Sequence, residues 1–146
     1  MGHILFTLDR FKEALPFFER AFVIRPQSNS ALGYIGVTYA RLNNYEEALR
    51  YLNGLLKLSP DSPSALNNIA FVKINQGLYE EALALLEKAI KIAPQGWDAY
   101  NNRGYIYFKL GGKENMKKAM ADYDKAIGLA PSYYEPYWKY RELISL

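Results

Sequence analysis

The chain has 146 residues, 50% of them hydrophobic, and its 18 basic and 15 acidic residues leave a net charge of only +3. Because the two signs are interspersed, this balance excludes a strongly basic surface for nucleic acid or an anionic membrane. There is no cysteine, which excludes disulfides, thiolate metal sites and cysteine nucleophiles and fits a reducing, cytoplasmic location. No apolar run approaches the roughly 20 residues of a membrane span, and the start, MGHILFTL, lacks the features of a signal peptide.

A fixed period organises the sequence. Pro26, Pro60 and Pro94 are evenly spaced, and the following step, to Pro131, is longer by three positions. The same even spacing relates three alanines and two sets of large residues: Ala14, Ala48 and Ala82; Phe11, Tyr45 and Tyr79; and Phe18, Leu52 and Leu86. Each period holds two amphipathic helices with a tight turn between them. This pattern is typical of a repeat array, in which each unit buries its apolar face against a neighbour.

The first unit is incomplete in this sequence. Counting back from Pro26 places Gly2 in the middle of a first helix, so residues 1–8 supply only its last turns, and we expect a fragment of a longer repeat array. The second helix of this unit, about residues 11–24, therefore lacks part of its cover. We expect its apolar stripe to be partly open: Phe11, Ala14, Leu15, Phe18, Ala21 and Phe22.

The second and third units carry matching signals for helix ends. Ser28 or Asn29 in the second unit and Ser62 in the third are suited to cap a helix, because a short polar side chain accepts from the unpaired amides of the first turn. The turns between helices are predicted at Asn43-Asn44 and at Gly77. Acidic pairs follow both turns and favour the first helical turn through the helix dipole; they are Glu46-Glu47 and Glu80-Glu81.

The fourth unit begins at Trp97 and contains three extra residues within 111–115, which we interpret as a lengthened turn. A cluster of lysines surrounds this insertion and is interpreted as a solvated edge, with an acidic partner as the alternative: Lys109, Lys113, Lys117 and Lys118. The tail SYYEPYWKYRELISL predicts one more helix that caps the array.

These positions together resemble the tetratricopeptide repeat. The third unit shows the pattern most fully, with Leu66, Ile69-Ala70, Tyr79, Ala82, Leu86, Ala89 and Pro94. The resemblance implies an all-α, right-handed solenoid in which the first helix of each unit, helix A, lines a concave groove and helix B lies outside. We expect a partial repeat at 1–26, complete repeats at 27–60, 61–94 and 95–131, and the capping helix at 132–146.

The stripe of helix A that the resemblance assigns to the groove carries paired asparagines. Asn67 and Asn68 recur one full period later as Asn101 and Asn102. A carboxamide both donates and accepts, so such a column suits the backbone of an extended peptide; solvated surface or bonding within the helix is the alternative. Aromatic and basic residues lie beside the column. The predicted contact residues are Asn67, Asn68, Asn101, Asn102, Tyr34, Phe71, Tyr105, Lys109 and Arg41.

The sequence therefore predicts a non-enzymatic scaffold that binds an extended peptide or a partner helix, without cofactor or metal. His3 is the only histidine, and there is no glycine-rich phosphate loop. The clamp that some proteins of this family use for chaperone tails is not expected, because its lysines are missing and Glu135 would repel a carboxylate. Two alternatives remain. One is self-assembly through the open first unit or the aromatic tail, and the other is a regulatory segment of a larger protein.

Overall fold

The computed structural model describes residues 1–130, and this part of the chain is all-helical, which confirms the predicted fold class. Its eight helices are α1 (Gly2–Thr7), α2 (Phe11–Ile24), α3 (Asn29–Arg41), α4 (Tyr45–Leu58), α5 (Pro63–Asn75), α6 (Tyr79–Ile92), α7 (Trp97–Leu110) and α8 (Lys113–Leu129). The predicted capping helix at 132–146 lies outside the described residues.

The helices stack as a solenoid. Each helix packs against the next along the chain, and α3 also contacts α5, while α5 contacts α7. The odd-numbered helices therefore lie side by side. Neighbouring pairs share their core: Leu66, Leu86 and Ile106, from three successive helices, belong to one buried cluster. A core shared in this way is what makes each unit depend on its neighbours.

Short polar capping residues and turn residues with a positive φ define where these helices begin and end. The hydroxyls of Ser28 and Ser62 accept from the amide three residues on, at 3.2 Å, and Asn44 caps α4 in the same way at 3.4 Å. Asn43 and Gly77 adopt φ of 60° and 77° in the two predicted turns. This left-handed conformation is open to glycine and, among other residues, is most accessible to asparagine. The predictions for the caps and turns are confirmed.

The insertion in the last described unit lengthens a helix and not a turn, so that interpretation was wrong. The reversal between α7 and α8 takes only Gly111 and Gly112, with φ of 69° and 83°. Helix α8 has 17 residues, whereas α2, α4 and α6 each have 14. Two glycines close the turn without steric cost, so the extra residues continue the helix by nearly one turn.

Two glycines of the odd-numbered helices allow close contact with the following helix. A Cβ added at Gly36 would lie 2.5 Å from the Leu52 side chain, and one at Gly104 would lie 3.0 Å from the Tyr123 ring. Leu52 and Tyr123 are themselves buried. At Gly36 glycine is required by packing, because an added Cβ would collide with Leu52, whereas at Gly104 the Tyr123 ring would have to move by a few tenths of an ångström.

The first helix pair is covered only in part. Ala14 and Phe18 of α2 are buried against α1 and α3, whereas Ala21, within the predicted apolar stripe, is exposed. Beyond the stripe, Val23 and Ile24 are 77% and 71% exposed. The expectation of an open apolar surface therefore holds for this end, although its most exposed residues follow the stripe in sequence.

Candidate functional site

The side-by-side arrangement of α3, α5 and α7 forms a groove of about 470 Å³. Apolar, aromatic and carboxamide side chains line it together with one arginine and one aspartate: Val37, Arg41, Asn67, Asn68, Phe71, Ile74, Asn75, Trp97, Asp98, Asn101, Asn102, Tyr105 and Tyr123. A second depression of about 410 Å³ adjoins it on the side of α1 and shares Val37 and Asn68 with it. The two depressions form one continuous channel across four helices.

The structure brings most of the predicted contact residues together. Seven of them line the main groove: Arg41, Asn67, Asn68, Phe71, Asn101, Asn102 and Tyr105. Tyr34 lines the adjoining depression. Lys109 lines neither depression, but its Nζ lies 5.4 Å from the centre of the Tyr105 ring at the edge of the groove.

A chain of hydrogen bonds links α5 to α7 along the groove wall. Asn102 Nδ2 donates to Asn67 Oδ1, and Asn67 Nδ2 donates to Asp98 Oδ2, each at 2.9 Å. Asn67 is only 6% exposed. Its carboxamide is therefore committed to the protein, where it fixes the orientation of Asn102 and holds the Asp98 carboxylate.

The other two carboxamides differ from Asn67 in their surroundings. Asn68 is half-buried, lines both depressions, and makes no side-chain hydrogen bond within residues 1–130. Asn101 has its Oδ1 shielded from solvent without a hydrogen-bond partner in the same described part of the chain. A shielded acceptor without a partner is costly, and its shielding also keeps it from a ligand. Asn101 therefore forms part of the groove wall, whereas Asn68 is accessible to a ligand.

Two pairs of an aromatic ring and a cation border the groove. The Arg41 guanidinium lies 4.8 Å from the centre of the Phe71 ring, and Lys109 lies over Tyr105. Phe71 and Tyr105 occupy equivalent positions in successive repeats. Each ring is partly exposed, and contact with the ring holds the cation close to the groove while leaving it charged.

Tyr34 belongs to an aromatic cluster at the α1 end of the channel. Its ring stacks on Phe18 at 4.9 Å, and the His3 and Phe6 rings meet it edge-on at 4.3 and 5.8 Å. Packing on three sides holds Tyr34 in place. Its role at the channel is therefore that of a rigid wall.

Sequence reasoning missed Trp97, Ile74 and Tyr123 among the lining residues. Tyr123 comes from α8 and reaches the groove beside Gly104, whose missing side chain leaves the space. Glycine at a core position of α7 opposite a large residue of α8 was the available signal. Trp97 is the first residue of its helix, where helical phase alone does not assign a face.

A buried ion pair holds α7 to α8 behind the groove. Arg103 donates from Nε and Nη2 to the two carboxylate oxygens of Asp122, at 2.8 and 2.7 Å. Asp122 is only 6% exposed. This hydrogen bonding raises the pKa of the Arg103 guanidinium above its ordinary value, so the arginine stays charged, and the two-point contact fixes its geometry.

A half-buried tyrosine links the first two helix pairs. Tyr39 on α3 donates from its hydroxyl to Glu19 Oε1 on α2, at 2.9 Å, and its ring stacks on Tyr51. Burial, followed by the hydrogen bond to Glu19, raises the pKa of Tyr39 to about 12. The phenol therefore stays protonated, and serves the packing of α2 on α3.

Across residues 1–130 no group of three or more His, Cys, Asp or Glu side chains is placed to hold a metal ion. In the same residues, no helix combines the length and the hydropathy that crossing a bilayer requires.

Three family models match the chain and together span residues 7–133. Residues 7–89 match the model described as anaphase-promoting complex, cyclosome, subunit 3. Residues 73–111 match a model described as TPR repeat, and residues 98–133 match one described as tetratricopeptide repeat. No curated protein matches the chain significantly.

Several solved structures are similar to the chain. A thermophilic TPR protein of Thermus thermophilus aligns with a TM-score of 0.78 and 26% identity, over 88% of this chain and 70% of that one. YrrB, described as a TPR protein with an unusual peptide-binding site, aligns with a TM-score of 0.65 and 27% identity, over 90% and 66%. A tetratricopeptide repeat protein from Parabacteroides merdae shares the fold, with a TM-score of 0.75 and 24% identity, over 87% and 48%.

Proposed function

The chain belongs to the tetratricopeptide repeat family, whose members are generally non-enzymatic scaffolds for protein–protein interaction, and we propose that it binds an extended peptide in the groove of α3, α5 and α7. The observation that carries the proposal is Asn68. Its accessible carboxamide lies where the two depressions join and makes no side-chain hydrogen bond within residues 1–130. A donor and an acceptor so placed match the free N–H and C=O groups of an extended peptide.

An extended segment fits this groove better than a helix. The main-chain groups of a helical partner are already paired with one another, so carboxamides would find few partners on it. An extended chain leaves its main-chain groups free and projects alternate side chains to opposite sides. Such side chains would contact the partly exposed rings of Phe71 and Tyr105, which bury apolar area at low entropic cost.

The asparagines take different roles in this proposal. Asn68 and Asn102 contact the peptide backbone, since Asn102 retains acceptor capacity at Oδ1 after donating to Asn67. Asn67 positions Asn102, and Asn101 shapes the wall. The described peptide-binding site of YrrB, at 27% identity, supports the use of this fold for peptides.

The test is a display screen of random peptides on the purified chain. Enriched peptides are then measured by calorimetry against the double variant Asn68→Ala, Asn102→Ala. We expect the variant to lose about 1–3 kcal/mol of binding free energy, as for lost hydrogen bonds to a peptide backbone. A matched control, Gln27→Ala with Asn53→Ala, changes two exposed carboxamides elsewhere and should bind like the parent. Equal binding by all three proteins, or no enrichment, would contradict the proposal.

A second candidate function is self-association through the α1–α2 end. The observation that favours it is the exposure of Ile4, Val23 and Ile24, at 58%, 77% and 71%. Exposed large apolar side chains at one end of a repeat array are candidates for a contact surface. Light scattering at increasing concentration should then show dimers in the parent and monomers in Val23→Asp, Ile24→Asp. A parent that remains monomeric at all concentrations excludes this candidate.

A further inference from the structure

One rim of the groove carries a row of equivalent residues near the carboxyl-terminal ends of α3, α5 and α7. Arg41, Asn75 and Lys109 occupy this position in three successive repeats. Asn75 Nδ2 donates to Phe71 O of its own helix at 2.9 Å. The row therefore presents two cations with a neutral residue between them.

Neither cation is neutralised by a carboxylate within the described residues 1–130, where the ion pairs involve other lysines and arginines. Arg41 and Lys109 are exposed and lie over Phe71 and Tyr105 instead. An aromatic face orients a cation but leaves its charge available to a ligand. The positive rim is thus complementary to acidic side chains.

The acidic residue of the groove lies away from this rim. Asp98 is in the first turn of α7, whereas Lys109 is in the last turn, and Asp98 already accepts from Asn67. Lys113, the first residue of α8, follows Lys109 in the sequence after the tight reversal at Gly111 and Gly112. An acidic ligand on the rim is therefore attracted by the row and held apart from Asp98.

Building on the proposed function, we infer that the groove selects extended peptides with two acidic side chains about six residues apart and an apolar segment between them. Packed helices lie 8–10 Å apart, so the two steps from α3 to α7 place Arg41 and Lys109 roughly 18 Å apart. An extended chain covers that distance in about five or six residues, at roughly 3.3 Å each. The intervening residues lie over Val37, Phe71 and Tyr105.

The inference is tested on peptides enriched from a random display library. Each peptide is compared with copies in which Glu and Asp are replaced by Gln and Asn, and with copies in which the spacing of the acids is shortened to two residues. Each peptide is measured on the parent and on the double variant Arg41→Gln, Lys109→Gln. It is also measured on a control double variant, Arg20→Gln, Lys57→Gln, which removes the same amount of charge from exposed positions on α2 and α4.

The expected result is that enriched peptides carry the spaced acids, and that the double variant Arg41→Gln, Lys109→Gln binds them more weakly by about two- to fivefold for each cation removed, as for exposed ion pairs. Binding should weaken further with added salt, and the control should bind like the parent. Peptides that bind equally well without acids, and equally to both variants, overturn this inference while the groove function stands. No enrichment of any peptide overturns both.

Discussion

Asn102 on α7 donates a hydrogen bond to Asn67 on α5, at 2.9 Å, although the two residues are not equivalent in the repeat. The bond runs diagonally, from the second asparagine of one pair to the first asparagine of the preceding pair. Because the first is buried and the second half-buried, one residue builds the wall and the other faces the groove. The paired asparagines thus divide into positioning and contacting residues.

This division predicts the effect of Asn67→Ala on stability. The change leaves both Asn102 and the Asp98 carboxylate without their partner. We expect about 1–2 kcal/mol loss in the free energy of unfolding, since water reaches these half-exposed groups only in part. Urea unfolding measures it. The control is Asn75→Ala, an exposed asparagine bonded to its own helix, which should change stability by less than about 0.5 kcal/mol; equal losses would show that Asn67 has no special role.

Gly36 is predicted to be intolerant of any side chain. In Gly36→Ala the new Cβ meets Leu52 at 2.5 and 2.7 Å, and Leu52 is fully buried. We expect a loss of about 1–3 kcal/mol from overpacking, measured by thermal or urea unfolding. Gly128→Ala on α8, where within residues 1–130 no atom outside its own helix backbone lies within 4 Å of the added Cβ, should instead stabilise by about 0.5–1 kcal/mol. Similar shifts in both variants would argue against the close contact of α3 and α4.

The Arg103–Asp122 pair is predicted to stabilise the packing of α7 on α8. Asp122→Ala leaves the half-buried guanidinium unpaired, and we expect it to cost about 3 kcal/mol of unfolding free energy. The double variant Arg103→Met, Asp122→Leu should recover part of this loss, because no charge is then left without a partner. Lys88→Gln breaks the exposed 3.9 Å pair with Asp61 and should cost under about 1 kcal/mol. If Asp122→Ala loses no more unfolding free energy than Lys88→Gln, the result would be evidence against a stabilising Arg103–Asp122 pair.

Stability at alkaline pH should depend on Tyr39. Its pKa is about 12 in the folded chain and about 10 in an unfolded one, so the folded state holds this proton more tightly. The resulting stabilisation is complete below pH 10 and is lost as the pH rises to 12. Urea unfolding across this window should show a shallower decline for Tyr39→Phe than for the parent. Glu19→Gln should fall between them, because burial is the larger cause of the raised pKa; identical slopes for all three proteins would contradict the assignment.

The repeat made most of the fold predictable from the sequence. Pro60 and Pro94 set the period, and Ser62 and Gly77 specify where helices begin and turn, because each acts through local backbone chemistry. The insertion at 111–115 was misread for a related reason. The length of the insertion shows only that residues were added. Whether they join the turn or the helix depends on the turn itself, and here Gly111 and Gly112 complete the reversal without them.

The stripe that lines the groove was likewise accessible from helical phase, but the roles within it were not. Asn67 and Asn101 are equivalent in sequence, yet Asn67 bonds to Asp98 and Asn102 while Asn101 has a shielded oxygen without a partner in residues 1–130. The bonds of Asn67 come from Asp98 and Asn102 of α7. A single repeat pattern contains no information about that neighbour.

The most direct test of the account is the nuclear magnetic resonance of the side-chain carboxamides during titration with an enriched peptide. Asparagine NH₂ signals, assigned by single substitution, report hydrogen bonding at each site separately. We predict saturable shifts for Asn68 and Asn102 with one common Kd, and unchanged signals for Asn53 on α4. Saturable binding that shifts Asn53 or other residues of the even-numbered helices, while Asn68 and Asn102 stay unmoved, would place the site outside the groove and contradict the account.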